Sequence, residues 1–505
     1  MSTVSRVVSG SLASWATIGI NLLSQLFIVP VYLTYWDVKL YGIWIAIQGL
    51  FSILTIIEKS HIGFLGYEFL RIVNNSRNDL GVSILSGVCY GVIIGALQLA
   101  ATLLIVYSGF LSYCLGFTIL NDKVVMQQAG TLLILLMISS FIYVSVGGIL
   151  IRALSALDYY PRMAWWGVFY SFYNLLIPAI VVSQGGSLIT IGIAILIFTI
   201  GFALFAFVDM INLLKKEKIS FKSISWLIGF KNVKKSFAIA GRDFLDSFRQ
   251  QSLRVILAPL TGSASLVAFF TMRTGANVAL QGLNTVVYPL VPELSKFLHQ
   301  RDQARIEAAF GTIWLVVIGL LAPGVVMLQA LIEPFFVTWT RHQINFDPLL
   351  FSFLSISVLI YAISQPATAI VITNNLLKTQ VIIATMIAIV ILTGIWLLVP
   401  KIGIIGAAIS LLLGEISSAI YYRIAAKKWL TTHSLSWPNK ALLSVLFSAL
   451  FAAISMLIII QVPLMKWFVV FAFILLSVVN FYYYWKLLPD FITARANKVS
   501  RLLTI

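Results

Sequence analysis

The stretch Gly241-Arg-Asp-Phe-Leu-Asp-Ser-Phe-Arg-Gln-Gln-Ser-Leu-Arg254 decides the fold, because five ionised groups stand in what otherwise reads as a membrane-spanning helix. At ~100° per residue, Arg242, Asp243, Asp246, Arg249, Gln250 and Arg254 fall within an arc of roughly 140°. Phe, Leu, Ile and Ala occupy the opposite side. A single buried Arg or Lys carries an insertion penalty of about 2.5–3.5 kcal/mol, so three in one span cannot face lipid. They face a wet cavity or other protein. Two readings follow: a structural ion-pair network between helices, or a binding surface for an anionic solute crossing the membrane.

Composition supports the membrane. Of 505 residues, 60% are hydrophobic and 10% charged, and the mean hydropathy is +1.00. Soluble chains carry about 25% charged residues. About fourteen stretches of at least ~17 apolar residues are legible: 9–34, 41–63, 83–109, 125–150, 161–183, 187–212, 236–260, 265–292, 309–332, 348–372, 379–399, 403–424, 441–461 and 465–485. The N-terminus lacks a short apolar region with a small-residue cleavage site, so the first span is expected to be retained.

Net charge is +17, from 34 Lys and Arg against 17 Asp and Glu. Placing the N-terminus, every even-numbered loop and the C-terminal tail on one side puts 24 of those 34 bases there. The other side holds five (Lys39, Lys123, Arg341, Lys401, Lys466), and five more lie inside spans. That asymmetry predicts cytoplasmic termini, with the basic loops lying against the anionic headgroups of membrane lipids. No nucleic-acid motif is present.

The longest basic linker, 215–235, holds seven lysines and precedes the charged seventh span. The expected organisation is an N-terminal six-helix lobe (1–214), this cytoplasmic linker, a C-terminal six-helix lobe (236–428), and two appended helices with a tail (429–505). Weak internal symmetry supports two lobes. Pro30 and Pro259 stand near the outer ends of spans 1 and 7, and Glu68 to Arg71 matches Glu293 to Lys296.

The chemistry of an enzyme is missing. There is no phosphate-binding Gly-x-x-x-x-Gly-Lys loop and no serine nucleophile motif. The histidines (His61, His299, His342, His433) lack zinc spacing, and Cys89 and Cys114 support neither a disulfide framework nor a metal site. No catalytic residue, metal or cofactor is expected. Outside span 7, the intramembrane ionisable set comprises Glu58, Lys59 and His61 in span 2, Arg273 in span 8, Asp209 near the end of span 6 and Glu415 in span 12. Guanidinium groups present fixed forks that match phosphate oxygens and stay charged at physiological pH. Arg242, Arg249, Arg254, Arg273 and Lys59 are therefore candidate substrate-binding residues. Asp243, Asp246, Glu58 and His61 are candidates to balance that charge or to exchange protons. The alternative for Glu58 to His61 is a position at the membrane boundary, snorkelling into water. Asp209 reads as a helix-end residue.

Three stretches carry a resemblance. Leu398-Val-Pro-Lys-Ile-Gly-Ile-Ile-Gly-Ala-Ala-Ile409 is similar to the Leu-Ile-Pro-x-x-Gly-Ile-x-Gly-Ala-Ala pattern of bacterial polysaccharide-export flippases. Gln250 through Lys296 resembles them too, with Leu260-Thr-Gly262 and Pro289-Leu-Val-Pro-Glu-Leu-Ser-Lys296. Trp36-Asp-Val-Lys-Leu-Tyr-Gly42 fits their loop before the second helix. This is the O-antigen and polysaccharide translocase branch of the multidrug/oligosaccharidyl-lipid/polysaccharide exporter superfamily. The resemblance implies two six-helix lobes around a central crevice in an all-α membrane protein of the bacterial inner membrane. The implied substrate is an undecaprenyl-diphosphate-linked oligosaccharide, and a polysaccharide polymerase and chain-length regulator are implied candidate partners. Where many members carry Asp or Glu before Leu-Gly, this chain has His61-Ile-Gly63, with Glu58 as the neighbouring acid. Trp44, Gln48, Trp165, Trp166, Tyr170 and Gln281 are candidate sugar contacts. The rival readings are a cation-coupled drug antiporter of the same superfamily and a non-transporting scaffold of an envelope-polymer complex.

Overall fold

The computed structural model describes residues 3–73, 77–115, 123–221 and 223–489. Among the described residues every regular element is helical, as an apolar environment demands when backbone groups must be satisfied within each segment. The chain divides into two compact units, Met1–Val267 and Ala268–Ile505.

The first unit contains α1 (Thr3–Tyr35), α2 (Val38–Leu54), α3 (Ile56–Val73), α4 (Arg77–Tyr107), the short α5 (Phe110–Leu115), α6 (Lys123–Leu154), α7 (Tyr160–Ser183), α8 (Leu188–Lys216) and α9 (Trp226–Thr261). Polar side chains set the boundaries. Asp37 caps α2 by accepting from Leu40 N at 2.7 Å, and Ser187 and Thr190 form a reciprocal capping box on α8. Gly262 ends α9 with φ +84°, a conformation that disfavours any Cβ. The helix α9 packs on α2, α3 and α4. It starts at Trp226, so the second half of the expected linker forms its first turns.

The second unit takes up α10 (Ser263–Gln300) beyond Val267, then α11 (Gln303–Val316), α12 (Ala322–Trp339), α13 (Pro348–Thr373), α14 (Leu377–Thr432), α15 (Asn439–Gln461) and α16 (Lys466–Leu487). There α13 packs on α14 and α15, and α12 on α15 and α16.

Nine helices among the described residues are long and apolar enough to cross a membrane, or ten when α2 and α3 count as one bent span. Two of the nine are too long for one crossing. Lys123–Ser183 runs 61 residues and Leu377–Thr432 runs 56, about 92 and 84 Å of helix at 1.5 Å per residue, against a core of about 30 Å. Each is broken in the middle, the first at Leu157–Asp158 (Asp158 φ 71°) and the second at Ile402–Gly403 (Gly403 φ 60°).

Span 2, expected as one helix over 41–63, is bent by 46° between α2 and α3. No proline is present. The hydroxyl of Thr55 instead bonds the carbonyl of Phe51 (3.0 Å), which also keeps its ladder bond from Thr55 N at 3.1 Å, and the carbonyl of Ser52 (3.3 Å).

Candidate functional site

The bend at Thr55 places Glu58 at the start of α3, where it is only 2% exposed. Both carboxylate oxygens are occupied by hydroxyls of α6: Ser140 Oγ donates to Oε2 at 3.2 Å and Ser145 Oγ to Oε1. Two donors aimed at two oxygens suit an ionised acid. The pocket depends on α4. Gly87, Gly91 and Gly95 form a stripe at i, i+4, i+8, where a Cβ on Gly91 would meet the Ser145 carbonyl at 2.6 Å. A Cβ on Gly95 would strike the Ser145 hydroxyl itself. Small residues let helices approach closely where lipid supplies no hydrophobic drive between them. The glycine spacing was readable in the sequence, but Ser140 and Ser145 were not identified as partners of Glu58.

One turn on, His61 is 1% exposed. Its Nδ1 lies 3.2 Å from Ser236 Oγ on α9. Ser236 donates its own proton to the Val233 carbonyl at 2.8 Å, which leaves its oxygen to accept from Nδ1–H. Glu58 and His61 are both enclosed by protein. Lys59, between them, is exposed.

Further along α9, the half-buried Arg254 lays its stem on α2. A Cβ on Gly49 would sit 2.7 Å from Arg254 Cβ and 3.2 Å from its Cδ. The guanidinium interacts with the Tyr41 phenol of α2. Tyr41 in turn belongs to a buried aromatic cluster with Tyr32 (ring centroids 5.5 Å) that also holds Trp36 and Trp44. The first unit thus brings Glu58, His61 and Arg254 onto the α2–α3–α9 packing. The side chains of Arg242, Asp243, Asp246, Arg249, Gln250 and Gln281 lie outside the described residues. Arg273 belongs to the second unit, half-buried, 5.8 Å from the centre of the Phe270 ring.

The suggested sugar contacts have varied surroundings. Trp44 is buried, and Tyr170 stacks on Tyr143 at 5.1 Å. Trp166 packs on Phe202 and donates to Asp209 Oδ2 at 2.8 Å. Gln48 is half-buried. Trp165 is 38% exposed and donates to Ser9 Oγ at 3.3 Å. Asp209 does more than end a helix. It also accepts a two-pronged ion pair from Arg162, with Nε to Oδ2 at 3.0 Å, and so clamps α7 to α8. Glu415 is buried within α14. Among the described residues no group of three His, Cys, Asp or Glu could hold a metal ion.

No family model matches the sequence, and none of the curated proteins compared with it does. Solved structures do. The lipid II flippase MurJ, in an inward closed conformation, aligns over 94% of this chain and 98% of its own, with TM-score 0.63 and 15% identity. An inward-facing multidrug resistance MATE family transporter of the MOP superfamily aligns over 85% and 98%, with TM-score 0.64 and 14% identity. A MATE transporter of Vibrio cholerae aligns over 85% and 98%, with TM-score 0.57 and 14% identity. Identities this low speak to fold alone. The protein is an all-α, multi-pass membrane protein with the fold shared by the MurJ flippase and the MATE transporters.

Proposed function

We propose that this chain is a flippase that moves an undecaprenyl-diphosphate-linked oligosaccharide across the cytoplasmic membrane by alternating access. The observation that carries the reading is the packing of α9, the helix bearing Arg242, Arg249 and Arg254, against α2 and α3 inside a bundle otherwise built of apolar helices. Charge at such depth is retained where it meets charge. Two or three guanidinium forks suit a diphosphate, which offers several oxygens in fixed geometry. Arg273 and the exposed Lys59 add to the same sign. Glu58 and His61 act as the charge-balancing or proton-exchanging pair, with Asp243 and Asp246 on α9 itself. The similarity to a lipid II flippase supports a lipid-linked substrate.

The membrane arrangement belongs to the same proposal. Ten spans, two of them each counted as two crossings, give twelve, and α9 and α10 bring the number to fourteen. Both termini are cytoplasmic in the bacterial inner membrane, the basic loops facing anionic lipids. Two six-helix lobes, 1–214 and 236–428, work as the moving halves around the 215–235 linker, and 429–505 is an addition. A polymerase and chain-length regulator are partners of the assembly line.

A second reading is a cation-coupled multidrug antiporter. It is favoured by the equally close MATE neighbours and by a buried carboxylate in the first unit. Complementation separates the two. In a strain lacking the chain, a flippase restores surface polymer and leaves drug accumulation unchanged. Restored drug efflux without polymer would favour the antiporter and sink the flippase.

A further inference from the structure

The second unit holds a cavity of about 460 Å³ among α13, α14 and α15, in the size range of small-molecule sites. Its walls are apolar, with Ile363, Ile420 and Leu446 among them. Two cations stand in its lining, both at the end where α14 turns into α15. Arg423 and Lys427, one turn apart on α14, both line the cavity, as does Trp437 from the connecting turn. Arg423 spends one nitrogen on Asn439 Oδ1 at 3.2 Å, leaving the rest of its fork available. Trp437 is 6% exposed, yet its indole N–H has no hydrogen-bond partner among the described residues.

An unmade hydrogen bond on a buried donor is uncommon and costly, and here the nitrogen is sealed in the packing rather than open to the cavity. The position of Trp437 is no accident of a loose turn. Gln303 of α11 holds the preceding residue from both sides, donating to the Ser436 carbonyl (3.1 Å) and hydroxyl (2.7 Å) and accepting from Ser436 N at 2.9 Å. The indole packs on Phe310 at 5.3 Å and Trp314 at 6.0 Å. Trp314, its neighbour, shows the ordinary outcome, its own N–H donating to the Ile363 carbonyl at 3.0 Å. Two cations and a fixed indole ring thus line a pocket that is otherwise oily.

We infer that this cavity binds an anionic glycerophospholipid, the phosphate held by Arg423 and Lys427 and an acyl chain laid along the apolar wall. The occupant follows from the chemistry. A free anion would leave the apolar wall bare, and a neutral amphiphile would leave two cations unmatched. The turn between α14 and α15 falls on the side of the membrane assigned most of the basic residues, where anionic headgroups are concentrated. Its lining comes from α13, α14, α15 and the turn before α15, and the inference holds whether or not the chain moves a lipid-linked sugar.

The test uses the full chain, purified in detergent and stripped of lipid. Phosphatidylglycerol, phosphatidylcholine with the same acyl chains, and inorganic phosphate are titrated, read by thermal midpoint and by bound lipid in native mass spectrometry. Phosphatidylglycerol should bind and stabilise at concentrations where the other two do neither. Arg423→Gln with Lys427→Gln should weaken that binding at least about tenfold, since each cation near a headgroup is worth about fivefold. Lys428→Gln, next to the site but outside its lining, should change nothing. If the double variant fails to fold, Arg423→Lys with Lys427→Arg keeps the charges and should retain preference for phosphatidylglycerol. Equal binding of the two lipids, an equal shift from phosphate alone, or undiminished binding by a folded double variant would each overturn the assignment.

Discussion

Replacing Glu58 by Gln separates an anchoring role from a functional one. In the native arrangement the carboxylate accepts from Ser140 and Ser145. Hydrogen bonds to a charged group contribute about 1.5–3 kcal/mol each and neutral ones about 0.5–1.5 kcal/mol. Exchanging two of the first kind for two of the second loses about 2–3 kcal/mol. The amide keeps the shape, and one serine can turn its hydroxyl to accept from the new NH2 group. Against the loss stands the desolvation penalty of a buried carboxylate, several kcal/mol, which the amide avoids. The two nearly offset, so Glu58→Gln should fold and insert with stability within about 1 kcal/mol of native. Glu58→Ala is different. It leaves two buried hydroxyls without their acceptor and opens a void, a cost of about 2–5 kcal/mol. The assay pairs thermal unfolding of purified protein with surface polymer in a complemented deletion strain at matched expression. Glu58→Gln should unfold close to native yet support less than about a tenth of native export, one decade corresponding to ~1.4 kcal/mol. Native polymer levels from Glu58→Gln would refute the charge-balancing role and reduce Glu58 to a tie between α3 and α6.

Arg249→Ala and Arg254→Ala should abolish export while the protein still inserts, and each Lys replacement should be partly active because a point charge lacks the fork. Lys231→Ala should have little effect, one exposed lysine contributing about 1 kcal/mol to membrane attraction; parity of Arg249→Ala with Lys231→Ala in the polymer assay would remove the diphosphate site. Gly49→Ala, whose Cβ would press on Arg254 at 2.7 Å, should cost about 1–3 kcal/mol in unfolding experiments. Gly63→Ala, with nothing within 4 Å of its Cβ, should cost far less, and equal losses would contradict the tight α2–α9 contact. Cysteines introduced near Lys123 and Arg341 should react with an impermeant maleimide from outside and those near Lys231 should not; outside labelling at Lys231 would reverse the topology.

Much of this molecule is written in local sequence. A run of apolar residues long enough to cross a bilayer has one conformation open to it there, so the class of fold follows from length and hydropathy. The polar stripe of α9 is likewise visible from 241–254, because helical periodicity is a property of one segment. What local sequence does not hold is the identity of partners far along the chain. Ser140 and Ser145 lie 82 and 87 residues from Glu58, and Ser236 lies 175 from His61. Nothing in those serines distinguishes them from others on apolar helices. Asp209 is held by Arg162 and Trp166 of the neighbouring helix, and the 46° bend between α2 and α3 falls where no proline announces it. Insertion into lipid is decided segment by segment through transfer free energy, which sequence alone encodes. Which acid is sealed behind which serine, and which indole is buried without an acceptor, is decided by helix packing. That packing is set by small residues and close contacts between segments distant in sequence, and only the tertiary structure records it.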